Sequence, residues 1–151
     1  MREVALADLP GLVGQEIGAS EWLTISQDRV DEFARATGDD QWIHIDVERA
    51  KREMGGTIAH GYLTLSLIPV MARDILKITG VGHGVNYGSD KVRFTNMVRV
   101  GARIRLKQKV LACEPRAGGF QLKNEFTMEV EGESRPACVA ETIAILYPTK
   151  S

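Results

Sequence analysis

Cysteine is scarce in this chain: two residues in 151, Cys113 and Cys138, neither of them in a C-x-x-C pair. Two cysteines cannot build a disulfide framework, and both lie among strand-like apolar residues, which predicts buried thiols in a reducing compartment. Long apolar runs are missing as well. The longest, from Tyr62 to Ala72, falls far short of the ~20 residues a membrane span needs. The opening stretch MREVALADLPGL has no apolar core of signal-peptide length. A cytoplasmic protein with no membrane partner is therefore expected. Charge of one sign is lacking too, since 19 basic residues against 20 acidic ones leave a formal net charge of −1. Nothing in that balance grips a phosphate backbone, so no nucleic-acid partner is expected. No fixed-period repeat, low-complexity tract or Pro/Ser-rich linker divides the sequence, which reads as a single domain over residues 1–151.

What is present falls into two halves of different periodicity. After Ser26, a good helix cap, Val30, Phe33, Ala34 and Thr37 recur at helical spacing, and Gly38 can end that helix in a left-handed turn. Asp46 can cap a second helix, V-E-R-A-K-R-E-M, that stops at Gly55-Gly56. A third opens near His60 and is expected to run to about Lys77. From Tyr62 to Ala72 only Thr64 and Ser66 are polar, which predicts burial on nearly all sides, with a local bend at Pro69. Beyond Gly84 the period changes to two. Ile104, Leu106, Val110 and Ala112 alternate with charged residues, as do Phe120, Leu122, Phe126, Met128 and Val130. Gly118-Gly119 and Glu131-Gly132 mark hairpins, Ala137 to Tyr147 suits a central strand, and Val85 to Val98 makes a further strand or pair. Four or five strands after a buried helix imply an α+β domain with an antiparallel sheet wrapped round that helix.

The chemistry concentrates between Ala36 and Asp46. Asp39 and His44 lie five residues apart, which on a continuous helix would set them on different faces, but Gly38 supplies a place for the chain to turn. A carboxylate and an imidazole facing one cavity can hold a water and relay its proton. Spacing alone equally accommodates a solvated turn at Asp39-Asp40 and a half-buried histidine beside Trp42. A second feature is Ala59-His60-Gly61 at the mouth of the third helix, where free N–H groups and a glycine allowing close approach can stabilise a negative oxygen. Tight packing at Gly61 and simple capping by His60 explain that motif too. The three histidines, His44, His60 and His83, show no H-x-x-x-H spacing, so no metal site is expected. Gly80-Val81-Gly82-His83-Gly84 is not a dinucleotide fingerprint.

The run Thr37-Gly38-Asp39-x-x-x-x-His44-x-Asp46 resembles the T-G-D-x-N-P-[LI]-H-x-D signature of the MaoC-like dehydratases, which include the (R)-specific enoyl-CoA hydratases. Ala59-His60-Gly61, Val92-x-Phe94 and Val98-x-Val100-Gly101 resemble later family segments in the same order, and D-x-Q-W-I-H at Asp39–His44 is similar to the nodulation-protein-N-like branch. The resemblance implies a hot-dog fold, a long central helix wrapped by a curved antiparallel sheet, paired as a homodimer. It implies hydration of a trans-2-enoyl-CoA to an (R)-3-hydroxyacyl-CoA, with an acyl-CoA thioester as partner and neither metal nor redox cofactor. Asp39 and His44 take the positions of the water-activating pair, and the Gly61 N–H that of a donor to the thioester oxygen. Two departures stand out. Asn-Pro of the signature is Gln41-Trp42 here, so the Trp42 indole is expected to wall the acyl pocket. Pro69 replaces a helix serine that supports the oxyanion site, a role for which Ser66, Asn86 or a water is the expected substitute. An acyl-CoA thioesterase and a non-catalytic acyl-binding subunit are the competing expectations. Lys91 and Arg93 are candidate contacts for the CoA phosphates.

Overall fold

The computed structural model describes residues 1–150. A short strand β1 (Arg2–Ala5) leads into a 3-10 turn (Leu6–Leu12), followed by two short strands, β2 (Glu16–Ala19) and β3 (Leu23–Thr24). Helices α1 (Gln27–Thr37), α2 (Trp42–Ile45) and α3 (Val47–Met54) then precede α4 (Gly61–Ser66) and α5 (Ile68–Ala72). The rest is strand: β4 (Leu76–Thr79), β5 (Val81–Phe94), β6 (Arg103–Arg116), β7 (Gly119–Val130) and β8 (Cys138–Pro148).

The caps act as the sequence predicts. Ser26 accepts from the Arg29 N–H at 3.2 Å and Asp46 from the Arg49 N–H at 3.1 Å, each worth ~1 kcal/mol. Gly38 ends α1 at φ +83°, a left-handed conformation that favours glycine. This turn swings the chain back over the end of α1, so residues that a continuous helix would separate can meet.

The main sheet is antiparallel, ordered β2-β6-β7-β8-β5, with β3 pairing a further length of β6. On the inner face of β6 and β7, Ile104, Leu106, Val110, Leu122, Phe126, Met128 and Val130 are buried. Their outward neighbours carry charge, as in the Arg105–Glu129 pair at 2.7 Å and the Lys107–Glu129 pair at 3.0 Å. Leu63, Leu67, Ile68 and Met71 of α4–α5 press into that face, each aliphatic contributing ~1.5–3 kcal/mol by burial. This is the hot-dog arrangement, α+β, with the helix inside a curved sheet. No helix among the described residues is long and apolar enough to cross a membrane.

Two expectations about the central helix are corrected, its end and its burial, while the break expected at Pro69 is present. The central helix stops at Ala72 instead of Lys77, because Leu76–Thr79 leaves it to pair in parallel with β1, the register running from Arg2 opposite Leu76 to Ala5 opposite Thr79. It is also interrupted at Leu67, just before Pro69, whose ring nitrogen can donate no helical hydrogen bond. Nor is it buried all round: Tyr62 is 69% exposed and Val70 46%. Both lie on the side of the helix turned away from the sheet's inner face.

Candidate active site

Asp39 and His44 do converge, and His60 joins them. Each of the three offers a ligand atom, and those atoms lie within 4.8 Å of one another. His44 is carried by α2, immediately beyond the turn at Gly38 that returns Asp39 toward it. Its Nδ1 lies 2.7 Å from the carbonyl oxygen of Ile58. A carbonyl can only accept, so Nδ1 carries the proton and Nε2 keeps a free lone pair. His60 caps the start of α4, and its Nε2 stands 2.8 Å from the Asp39 carbonyl, which fixes the proton on Nε2. Its Nδ1 is buried and has no hydrogen-bond partner among the described residues. The two imidazoles stack with centroids 3.7 Å apart at 21°, and Phe33 packs against His60 at 4.8 Å.

Two backbone contacts therefore set both tautomers, and the His60 contact also ties the Asp39 loop to the helix mouth. Gln27 adds a further anchor, donating from Nε2 to the His44 carbonyl at 2.8 Å while accepting from Thr57 Oγ1 at 2.6 Å. The carboxylate of Asp39 is half-buried, its Oδ1 accepting only a long contact of 3.4 Å from Gln41 Nε2. A proton acceptor thus stands beside a loosely held carboxylate, an arrangement suited to activating water. A carboxylate and two imidazoles are also a metal-ligand set. However, an imidazole lone pair lies in its ring plane, and two nearly parallel planes cannot both contain one ion. The stack fits proton transfer better than a metal.

A cavity of about 410 Å³ opens beside this group, lined by His44, Gly61, Thr64, Phe94 and Asn96 among others. Space at Gly61 is tight: a Cβ would come within 3.2 Å of the Phe94 ring, which would have to give by a few tenths of an ångström. Of the expected site residues, Asp39, His44, His60 and Gly61 are brought together. The other three are not. Trp42 sits half-buried beneath the Arg49 guanidinium, 4.1 Å from the ring centroid, and does not wall the cavity. The Ser66 hydroxyl donates to the Tyr62 carbonyl of its own helix at 2.6 Å, facing solvent. Asn86 lines a separate cleft beside Pro69. The buried hydroxyl residue on the cavity wall is Thr64, 2% exposed. Its position three residues after Gly61, one helical turn on, was the available signal. Gln27 had no such signal, because its partners come from α2 and the segment before α4.

Comparison with known proteins agrees with this architecture. The chain is 45% identical over 141 residues to the 3-hydroxyacyl-thioester dehydratase Z of Mycobacterium tuberculosis, covering 92% of this chain and 93% of that one. It is also 45% identical over 150 residues to Nodulation protein N of Rhizobium leguminosarum bv. viciae, covering 97% and 93%. Among solved structures, an R-hydratase of Pseudomonas aeruginosa superposes with a TM-score of 0.73 at 21% identity, over 91% of this chain and 83% of that one. At that identity the likeness speaks for the fold alone. A family profile described as "MaoC like domain" matches residues 8–131, so the chain belongs to the MaoC-like domain family.

Proposed function

We propose that this protein is a hydro-lyase, an (R)-specific hydratase that adds water reversibly across the double bond of a trans-2-enoyl-CoA. The observation that carries this reading is the meeting of the Asp39 carboxylate with the imidazoles of His44 and His60, His44 lining a cavity that Gly61 also lines. The 45% identical dehydratase relative supports the reaction type.

The thioester carbonyl would lie against the Gly61 N–H, which stabilises charge gathering on its oxygen as the acceptor carbon is attacked. A water held between Asp39 and His44 gives its oxygen to C3 and one proton to the pair, and a proton returns to C2. The sum is one water added, with no change of oxidation state. The Thr64 hydroxyl, buried on the same wall, is our candidate for the part the family's helix serine would play at Pro69. Gln27 and His60 are positioning residues: they hold the backbone and imidazole through which Asp39 and His44 act.

A second copy of the chain belongs to this reading. Strand β5 ends the sheet order with one edge unpaired, and it exposes Val85, Tyr87 and Phe94 beside the equally exposed Tyr62 and Met97. An open strand edge of 14 residues that carries these exposed apolar side chains invites pairing, and a homodimer would close it. Sedimentation at micromolar concentration tests that, a monomer counting against it.

Crotonyl-CoA tests the chemistry. Incubation followed by product separation should give hydroxybutyryl-CoA of the R configuration. Free CoA would indicate a thioesterase instead, and unchanged substrate a binding protein without turnover.

A further inference from the structure

The inner face of the sheet is not uniformly apolar. Two hydrophobic clusters share it, one around Leu63, Ile104, Phe126 and Met128, the other around Leu9, Leu76, Leu122 and Leu146. Between them sit two buried carboxamides, Gln108 at 5% exposure and Asn124 at 6%. Gln108 Nε2 donates to Asn124 Oδ1 at 3.0 Å. That single bond leaves Gln108 Oε1 enclosed, with no hydrogen-bond partner among the described residues. Thr142 stands opposite Asn124 on β8, and Ser89 opposite Thr142 on β5, so a polar band crosses the sheet into the groove.

Thr64 lines the cavity at His44 and Gly61. Just beyond it on the same helix, Leu65 and Ile68 line a separate cleft of about 460 Å³ between α4–α5 and the sheet, with Asn124, Phe126 and Thr142 among its other walls. Beyond it a space of about 780 Å³ reaches Gln108, and the two share Pro69, Ala72, Asn124 and Phe126. Between Gly61 and Pro69 the helix advances about 12 Å. An acyl chain passing from a thioester at Gly61 into this groove has to span about that distance before its far end meets the carboxamides.

A plain hydrocarbon chain would leave Gln108 Oε1 unpaired and strip water from Asn124. The pair contributes little to packing that two aliphatic residues would not supply, and enclosing an unpaired acceptor is unfavourable. Sites built this way discriminate by leaving their own polar groups unsatisfied when the wrong ligand enters. We infer that the groove takes an acyl chain carrying a hydroxyl group distant from the thioester, which donates to Gln108 Oε1 and accepts from the Asn124 amide. This names the substrate class of the site and rests on the hydratase reading above.

Calorimetry with the 151-residue chain tests it, using hexanoyl-, octanoyl- and decanoyl-CoA, each against its ω-hydroxy counterpart. At the length that spans the groove, the hydroxylated ligand should bind at least about tenfold tighter, the scale of one buried hydrogen bond. In Gln108→Met that ratio should fall toward one. Equal affinities at every length overturn the inference, as does a preference that survives Gln108→Met. The comparison on the unaltered protein stands even if the variant folds poorly. Crotonyl-CoA hydration, measured separately, keeps the two ideas apart. Turnover without hydroxyl preference rejects the inference alone, and preference without turnover rejects the hydratase reading while leaving a hydroxyacyl-binding groove.

Discussion

The His44 cavity and the Gln108 groove both enclose polar side chains, and each leaves one atom unpartnered, yet they are built oppositely. At the His44 end the imidazoles are pinned to backbone carbonyls, those of Ile58 and Asp39. At the Gln108 end the carboxamides hold only each other. A backbone carbonyl cannot swivel as a side-chain amide can, so the first arrangement sets tautomer and ring orientation before any ligand arrives, as proton transfer requires. A pair of flexible amides can turn to meet a ligand, which suits recognition. Rigidity is invested where bonds are made and adaptability where a chain end is read.

Substituting the acid and base should break this contrast most severely. Asp39→Asn and His44→Gln are each expected to slow crotonyl-CoA hydration ~10²–10⁴-fold, with the thermal midpoint little changed. Steady-state rates beside a melting curve check both at once, and parental rates in either variant would remove the site assignment. Asp40→Asn, one residue away, is the mild control.

The pinning itself can be tested one step further out. His60→Phe keeps a ring against His44 but loses the donor to the Asp39 carbonyl, and kcat should fall by up to about 10²-fold, the cost of a misplaced group. KM should move little, and His60→Gln, which can still donate to that carbonyl, should recover part of the loss. A fall in KM-dependent terms alone would mean that His60 binds substrate directly and does not position Asp39.

At the other end the expected change has the opposite sign for stability. Replacing both carboxamides, Gln108→Met together with Asn124→Leu, removes the unpaired buried acceptor without orphaning its partner and should stabilise the fold by about 1 kcal/mol, a rise of roughly 2–4 °C in Tm for a domain of this size. A clear drop in Tm would mean that the carboxamide pair is structural.

The smallest effect sharpens the comparison by chemistry. Cys138 belongs to the cluster around the His44 end, whereas Cys113 packs half-buried against the cluster beyond the carboxamides. Burial pushes the Cys138 thiol up to about 11. Cys113 is raised as well, by burial first and then by the neighbouring Glu114. The thiolate is the reactive form, so a thiol reagent near pH 8 should label both slowly in the folded protein. Cys113 should react first, and peptide mapping by mass spectrometry gives the order.

Much of the fold was legible in the sequence. The caps at Ser26 and Asp46, the stop at Gly38, the alternation of β6 and β7 and the hairpins between strands each follow from a local rule that tertiary contacts did not overturn. The N-terminal elements were not legible. β1, β2 and β3 are two to four residues long, too short for periodicity to register, and the pairing of β1 with β4 joins residues more than seventy positions apart.

For the site, the sequence determined which groups were available: a carboxylate and an imidazole separated by a turn, and a glycine at a helix mouth. Local spacing could carry that much because the turn at Gly38 acts over a few bonds. Only the tertiary structure decided that His60 stacks on His44, that Thr64 and not Ser66 or Asn86 lines their cavity, that Trp42 stays outside under Arg49, and that Gln108 meets Asn124 beneath a separate groove. Those contacts cross between elements whose relative placement depends on the curvature of the sheet and the packing of α4–α5 within it, and a helical or strand period carries no record of either.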